Sequence, residues 1–307
     1  MSKRIALVFP GQGAQTVGMG KELASAYPVA AGLFRQADEI LGWPLSRVCW
    51  EGPEGELTKT SVCQPALYVH GLAALAVARE KLGDFAVAGA AGLSLGEFTA
   101  HAAAGTFDFA TGLRLVARRG QFMQEACEAT HGGMAAMIGA EENMVRDLAS
   151  RADIDVANIN SPGQIVVSGE AAKVAAAVGL AKDCGIRKAV ELKVAGAFHS
   201  RLMQPAYERL GEALAATELK HPVFPVVCNV EGRAVHEADD IRRTLADQVT
   251  GSVRWADCVT RLLDDLGCDT FLELGPGTTL AGMIARIRKG TPVFSVGTAE
   301  DAAALAL

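Results

Sequence analysis

The sequence predicts an α/β protein built on a mainly parallel sheet and interrupted by a small subdomain of βαββαβ order. Three observations carry this reading. Short apolar runs alternate with helical periodicity along most of the chain. A small-residue run beginning at Phe85 breaks at Gly92-Leu93-Ser94-Leu95-Gly96 into a helix-like pattern, which is how a strand passes sharply into a helix. Composition then changes near His131-Gly132-Gly133, and the stretch to Val194 reads as strand, helix, two strands, helix, strand.

Taken in order, Arg4 to Phe9 is a short buried strand ended by Pro10-Gly11. After the turn at Gly11 to Gln15, a helix is predicted from Met19 to Ala37, then a turn-rich segment from Trp43 to Glu56, then a helix from Gln64 to Lys81. Strand Val87 to Ala90 leads into the serine turn, and helices follow over Glu97 to Ala104 and Phe109 to Glu128. The inserted pattern runs through strand Met134 to Ile138, helix Glu141 to Ala152, strands Asp155 to Asn158 and Gln164 to Ser168, helix Ala171 to Cys184 and strand Lys188 to Val194. That order is ferredoxin-like. Alternation resumes afterwards, with strands near Val223 to Asn229, Thr270 to Leu274 and Val293 to Ser295. The division expected is a larger α/β domain over 1–130 and 196–307 and a smaller one over 131–195.

Composition narrows the class of function. With 307 residues, 50% hydrophobic, and a mean hydropathy of +0.21, the chain can bury a large core. A net charge of −6 without a long basic block argues against nucleic acid or a membrane surface as partner. Seven scattered cysteines, odd in number and without a C-x-x-C pair, fit reduced thiols in a cytoplasm and neither a disulfide frame nor a metal site. The run Ile5-Ala6-Leu7-Val8-Phe9 is too short for a signal sequence, and no uninterrupted apolar run has the length of about 18 residues that a membrane span requires. The expectation is a soluble, cytoplasmic monomer acting on small molecules.

Glycines on either side of Ser94 lift its hydroxyl out of the fold at a helix N-terminus, the presentation a nucleophile needs. The same pattern also arises as a plain turn in a chain with 33 glycines. Gly11-Gln12-Gly13 after the first strand is half of a dinucleotide fingerprint, but Thr16 stands where the third glycine belongs and no acidic residue closes a second strand. What this turn can supply is a backbone N–H near the serine. Paired with the N–H of Leu95, the residue after the serine, such an N–H would form an oxyanion hole. Six histidines compete as the base. His70 and His101 lie in helical patterns and read as packing or surface residues; His131, His221 and His236 sit in ordinary turns. His199, in Gly196-Ala197-Phe198-His199-Ser200, lies where the chain leaves the insert over a cleft. No acidic residue announces itself as a third member, so a dyad oriented by a backbone carbonyl is as economical as a triad.

Six segments in order, GQGAQ at 11–15, GLSLGE at 92–97, RRGQFMQEA around Arg119, NSPGQIVVSG at 160–169, AGAFHS at 195–200 and LELGPG at 272–277, resemble the malonyl-CoA:acyl carrier protein transacylases of fatty acid synthesis, relatives of polyketide synthase acyltransferase domains. The resemblance covers essentially the whole chain. It implies a hydrolase-like core with a ferredoxin-like insert, Ser94 as acylated nucleophile, His199 as base with the backbone carbonyl near Gln248 orienting it, and Gln12 and Leu95 as the oxyanion hole. It implies Arg119 as the grip on the malonyl carboxylate, with Asn160 and Gln248 lining the cleft. No cofactor or metal is implied; malonyl-CoA is the substrate and acyl carrier protein the partner.

One departure stands out. The family places histidine before the nucleophile, and here that residue is Leu93, an apolar neighbour that could alter acyl choice, turnover or ester hydrolysis. Phe198 before His199 resembles the malonyl-type polyketide signature. An acidic carrier protein calls for a local basic patch, for which Lys182, Arg187, Lys188 and Arg201, or Arg286, Arg288 and Lys289, are candidates, each alternatively a solvated face. LELGPGTTL is read as a structural strand-to-helix turn near the cleft and not as a phosphate site. A trans-acting polyketide acyltransferase, a serine thioesterase and a non-catalytic binding module of the same fold are the alternative readings.

Overall fold

In the computed structural model, which describes residues 3–83 and 85–306, the first apolar run forms strand β1 (Ile5–Phe9). Ile5, Leu7 and Phe9 enter one core and Ala6 and Val8 another, the pattern of a strand covered on both faces. Residues 1, 2, 84 and 307 lie outside the described residues, among them both outer ends of the larger predicted domain.

The helix expected from Met19 to Ala37 is instead two, α1 (Lys21–Ala26) and α2 (Pro28–Leu41). Pro28 has no amide hydrogen to continue α1, and it opens α2 at a position where none is needed. The supposedly turn-rich stretch from Trp43 to Glu56 carries α3 (Leu45–Glu51) and α4 (Glu54–Leu57). Leu45, Cys49 and Leu57 are buried in the main core, so tertiary burial stabilises turns of helix too short to persist alone. Next comes α5 (Thr60–Leu82), which starts ahead of the predicted Gln64. It is the one helix among the described residues long and apolar enough to cross a membrane, yet 83% of its apolar window is buried inside the fold, as befits a central core helix. β2 (Val87–Gly92), α6 (Leu95–Ala103) and α7 (Phe109–Glu128) follow, α7 being capped by the Asp108 carboxylate, which accepts from the Thr111 N–H at 2.7 Å.

The inserted segment forms β3 (Gly132–Ile138), α8 (Glu142–Ala152), β4 (Asp155–Ser161), β5 (Gln164–Glu170), α9 (Ala171–Leu180) and β6 (Lys188–Glu191). Its strands make a separate antiparallel sheet in the order β4-β5-β3-β6. One face packs Met137, Val145, Leu148, Ile165, Val167 and Val174 beneath the two helices, while Met134 and Val166 on the other face join the main core. β6 stops short of the predicted Val194: the Leu192 N–H still donates to Met134 O of β3 at 2.8 Å, and Leu192 to Val194 then line a cleft.

The remaining elements are α10 (Gln204–Ala215), β7 (Val226–Val227), β8 (Ala234–Val235), α11 (Ala238–Asp247), α12 (Trp255–Asp264), β9 (Thr270–Leu274), α13 (Thr279–Ile287), β10 (Val293–Val296) and α14 (Ala299–Ala304). The strand expected over Val223 to Asn229 contracts to two residues. Pro225 has no N–H for the ladder, and Asn229 uses its polar groups elsewhere. The main sheet has the order β10-β9-β1-β2-β7-β8 and is parallel except for β8 at its edge. From β1 the chain moves outward through β2 and β7, then returns to β9 on the opposite side of β1. The loops after β1 and β2 therefore meet at the carboxyl end of the sheet where its winding reverses, the place where open α/β sheets form their clefts.

The LELGPG turn has a structural explanation. Glu273 in β9 is buried and accepts from the N–H groups of Leu280 (2.8 Å) and Ala281 (3.0 Å) and from the Ser295 hydroxyl (3.0 Å). A carboxylate thus holds the start of α13, which adds Thr279, Leu280 and Met283 to the cleft wall.

Candidate active site

Ser94 sits between β2 and α6 with φ 53° and ψ −107°, a conformation that costs energy and turns the side chain outward. The flanking glycines are required by contact. A Cβ on Gly92 would lie 1.8 Å from the Gly96 carbonyl carbon, and one on Gly96 would lie 2.1 Å from the Phe9 carbonyl oxygen. The turn is pinned from both sides: the Leu93 N–H donates to Phe9 O at 2.9 Å, and the Ser94 N–H donates to Asn229 Oδ1 at 2.7 Å. Asn229 returns its Nδ2 to Gly92 O at 2.8 Å.

His199 Nε2 lies 2.8 Å from Ser94 Oγ, and His199 Nδ1 lies 2.7 Å from the backbone carbonyl of Gln248. The carbonyl can only accept, so Nδ1 carries the ring proton and Nε2 is left to accept from the serine hydroxyl. Burial and, secondarily, the Arg119 charge push the imidazole down to about 4, which keeps it neutral near pH 7, with Nε2 free to accept a proton.

Arg119, on α7, is 1% exposed. Its Nη2 donates to Ser94 Oγ at 3.0 Å and to Gln248 Oε1 at 2.8 Å, and its Nη1 donates to Gln64 Oε1 at 2.7 Å. Its guanidinium carbon lies 5.4 Å from the Phe98 ring centroid. Burial lowers its pKa to about 10, opposed by the Glu97 charge, so it remains a cation at neutral pH.

Ser94 and His199 open into a cleft of about 710 Å³ whose walls include Gln12, Leu93, Asn160 and Phe198. Asn160 is 7% exposed and its Oδ1 has no partner among the described residues. Leu95 is the first residue of α6, so its N–H has no acceptor within the helix. Gln12 faces the same cleft from the β1 loop. Gln248, expected to line the cleft, is not among its walls: it is fully buried, with its carboxamide bonded to Arg119, Glu97, the Ser94 carbonyl and Asn229. Leu93 combines cleft exposure with packing against the core cluster of Val8, Ala91 and Val227.

The acyl transferase domain family matches residues 6–301. The malonyl CoA-acyl carrier protein transacylase of Bacillus subtilis is 40% identical over 98% of this chain and 95% of its own length. The chain belongs to the malonyl CoA-acyl carrier protein transacylase family. The crystal structure of the malonyl-CoA:acyl carrier protein transacylase from Xanthomonas oryzae superposes with a TM-score of 0.94 at 40% identity, covering 99% of this chain and 98% of that one. A type II PKS acyl-carrier protein in complex with its malonyl-transacylase contains a similar chain, at a TM-score of 0.93 and 37% identity over 98% of each.

In this transacylase fold, sequence reasoning missed Glu97, Asn229 and Gln64. Glu97 Oε2 accepts from the Asn229 N–H at 2.9 Å and from Gln248 Nε2 at 2.6 Å. Its place in GLSLGE was visible, but an acidic residue in the first turn of a helix is ordinarily a solvated dipole partner, and only the packing shows it buried. The basic clusters fare unevenly. Arg201 is paired with Asp153 and Asp155, and Arg288 with Asp264, whereas Arg286 donates to the neutral Gln164 side chain and keeps its charge unpaired among the described residues. His70 and His101 are fully buried packing residues. All seven cysteines are free. Among the described residues no group of three or more His, Cys, Asp or Glu is placed to hold a metal ion.

Proposed function

We propose that this protein carries a malonyl group from malonyl-CoA to the phosphopantetheine thiol of an acyl carrier protein through a malonyl ester on Ser94. The observation that carries the reading is the placement of a buried guanidinium, Arg119 Nη2, 3.0 Å from a serine oxygen that also lies 2.8 Å from a histidine base. A donor with a carboxylate two bonds from its reacting carbonyl needs a cation at that distance from the nucleophile.

His199 Nε2 takes the Ser94 proton as Oγ attacks the thioester carbonyl. The tetrahedral oxyanion is held by the Gln12 and Leu95 N–H groups, and it collapses with loss of the coenzyme A thiolate, which takes the proton from His199. In the second half-reaction His199 accepts the carrier thiol's proton, the thiolate attacks the ester, and Ser94 Oγ leaves and regains a proton. Asn160 supplies an amide to the acyl or pantetheine portion in the cleft. The test is intact-protein mass after mixing with malonyl-CoA. An adduct that is absent in Ser94→Ala and moves to a phosphopantetheinylated carrier is expected; release as free malonate without a carrier would make the protein a hydrolase.

Fatty acid elongation is the use we assign to the product. The polyketide alternative is supported by a Bacillus subtilis polyketide biosynthesis malonyl CoA-acyl carrier protein transacylase, 41% identical over 93% of this chain and 97% of its own length. Presenting both classes of carrier protein separates the two. The free cysteines, six of them buried, favour a reducing cytoplasm.

We also read residues 131–195 as a ferredoxin-like subdomain inserted in a hydrolase-like unit of 1–130 and 196–307. The antiparallel β4-β5-β3-β6 order supports this. So does the contact between the two crossing points: a Cβ on Gly132 would lie 2.4 Å from the Ala197 nitrogen.

A further inference from the structure

Glu97 is wholly buried and outside the cleft, and no step of the reaction above uses it. We infer that Glu97 is a positioning residue that sets the preference for malonyl over uncharged acyl donors by locking the Gln248 carboxamide against Arg119. The inference rests on the reading of Arg119 as the grip on the malonyl carboxylate.

The argument is one of donors and acceptors. A carboxamide has two ends of nearly equal size, one accepting and one donating. Here the Gln248 Oε1 accepts from Arg119 Nη2 at 2.8 Å, and its Nε2 donates to Glu97 Oε2 at 2.6 Å and to Ser94 O at 3.0 Å. Reversing the amide would set NH2 against the guanidinium, donor against donor, and would strip both acceptors of their partner. The Glu97 bond is the shorter and is charge-assisted when the carboxylate is ionised. The same Oε2 accepts the Asn229 N–H, and Asn229 Oδ1 holds the Ser94 N–H, so one oxygen references the amide to the nucleophile turn. Burial raises the Glu97 carboxyl to about 7. Oε1 has no partner, so a proton there would leave Oε2 free to accept as before. The acceptor is therefore present in both ionisation states, and the role requires an oxygen at this point, not a charge.

Arg119 needs a fixed direction only to meet a carboxylate, so disturbing its support should fall on malonyl-CoA more than on acetyl-CoA. The experiment measures rate constants for acylation of Ser94 by each donor in the wild type, Glu97→Met, Glu97→Gln, Gln248→Leu and Arg119→Ala. Glu97→Met, similar in size and without the acceptor, should lower the malonyl-to-acetyl ratio by about two- to tenfold, the worth of a hydrogen bond to a neutral oxygen. Glu97→Gln, which can present its own carbonyl oxygen to the same donors, should restore most of it. If both rates fall in equal proportion in Glu97→Met, or if Glu97→Gln loses the ratio as fully as Glu97→Met, the inference is overturned. Should Glu97→Met not fold, Glu97→Leu, likewise without the acceptor, is read in the same way, and an unchanged ratio in Gln248→Leu ends the inference. Arg119→Ala separates the two levels. An unchanged ratio there refutes the grip itself, whereas a lowered ratio beside an unchanged one in Glu97→Met refutes only the role of Glu97.

Discussion

The Gln248 backbone carbonyl accepts the His199 Nδ1–H at 2.7 Å, so a neutral oxygen, and not a carboxylate, orients the base. A carboxylate at that point would stabilise the imidazolium; a carbonyl does so less, and burial together with Arg119 holds the ring at about 4. The base works as the neutral imidazole, so the rate is lost when the ring protonates. The pH profile of Ser94 acylation should stay level from neutrality down to about pH 5 and fall as pH drops through about 4. Rapid quench and mass analysis across this range checks it; an acid limb near 6.5 would show an unshifted histidine.

Arg119→Ala should cut malonyl transfer by about a hundredfold or more, as expected from two hydrogen bonds of about 1.5–3 kcal/mol each to the substrate carboxylate. Acetyl transfer should survive or rise, because a donor without a carboxylate gains nothing from a buried cation. Competition between the two donors in one reaction gives the ratio directly, and equal proportional losses would remove Arg119 from the carboxylate site.

Gly92→Ala and Gly96→Ala should each abolish acylation, and Gly92→Ala should also lower the yield of folded protein. Their added methyl groups meet backbone at 1.8 Å and 2.1 Å, where no side chain can move aside. Gly211→Ala, at an open helical position, is the control and should leave activity intact. Melting temperatures beside acylation yields distinguish a displaced nucleophile from an unfolded chain.

Stability should fall on mild acidification. His70, His101 and His199 are buried and held at about 4, about 3 and about 4. Below 6.5 the unfolded chain binds protons that the folded one refuses, so each histidine contributes a loss of about 2 kcal/mol between pH 7 and pH 5. Glu97, raised to about 7, acts in the opposite sense, since the fold keeps a proton that the unfolded chain releases above about 4.5. Glu273, also raised by burial, acts in the same sense as Glu97, and the three histidines outweigh the two carboxyls. Urea unfolding at the two pH values should show the drop, and His101→Leu should reduce it; identical slopes in variant and wild type would contradict the assignment.

How far the sequence could be read depended on the range of the interaction. The Ser94 turn was legible because its requirement is local: Gly92 and Gly96 are needed where β2 folds back onto α6. His199 was legible as the base only from its place after the insert, and Arg119 only through family resemblance, since its helix carries two other arginines nearby. The broken helix at Pro28 was open to sequence logic and was overlooked, whereas α3 and α4 exist through burial that no local pattern announces.

The sequence by itself determined the α/β alternation, the order of the insert, the nucleophile and the family, because periodicity, glycine geometry and ordered motifs are properties of neighbouring residues. Only the tertiary structure decided that Gln248 is buried and not among the cleft walls, that Glu97 is buried, and that Asn229 holds the nucleophile turn. Those contacts join residues 129 to 154 positions apart, and which buried polar group finds which partner is settled by packing, where every donor left alone carries a cost.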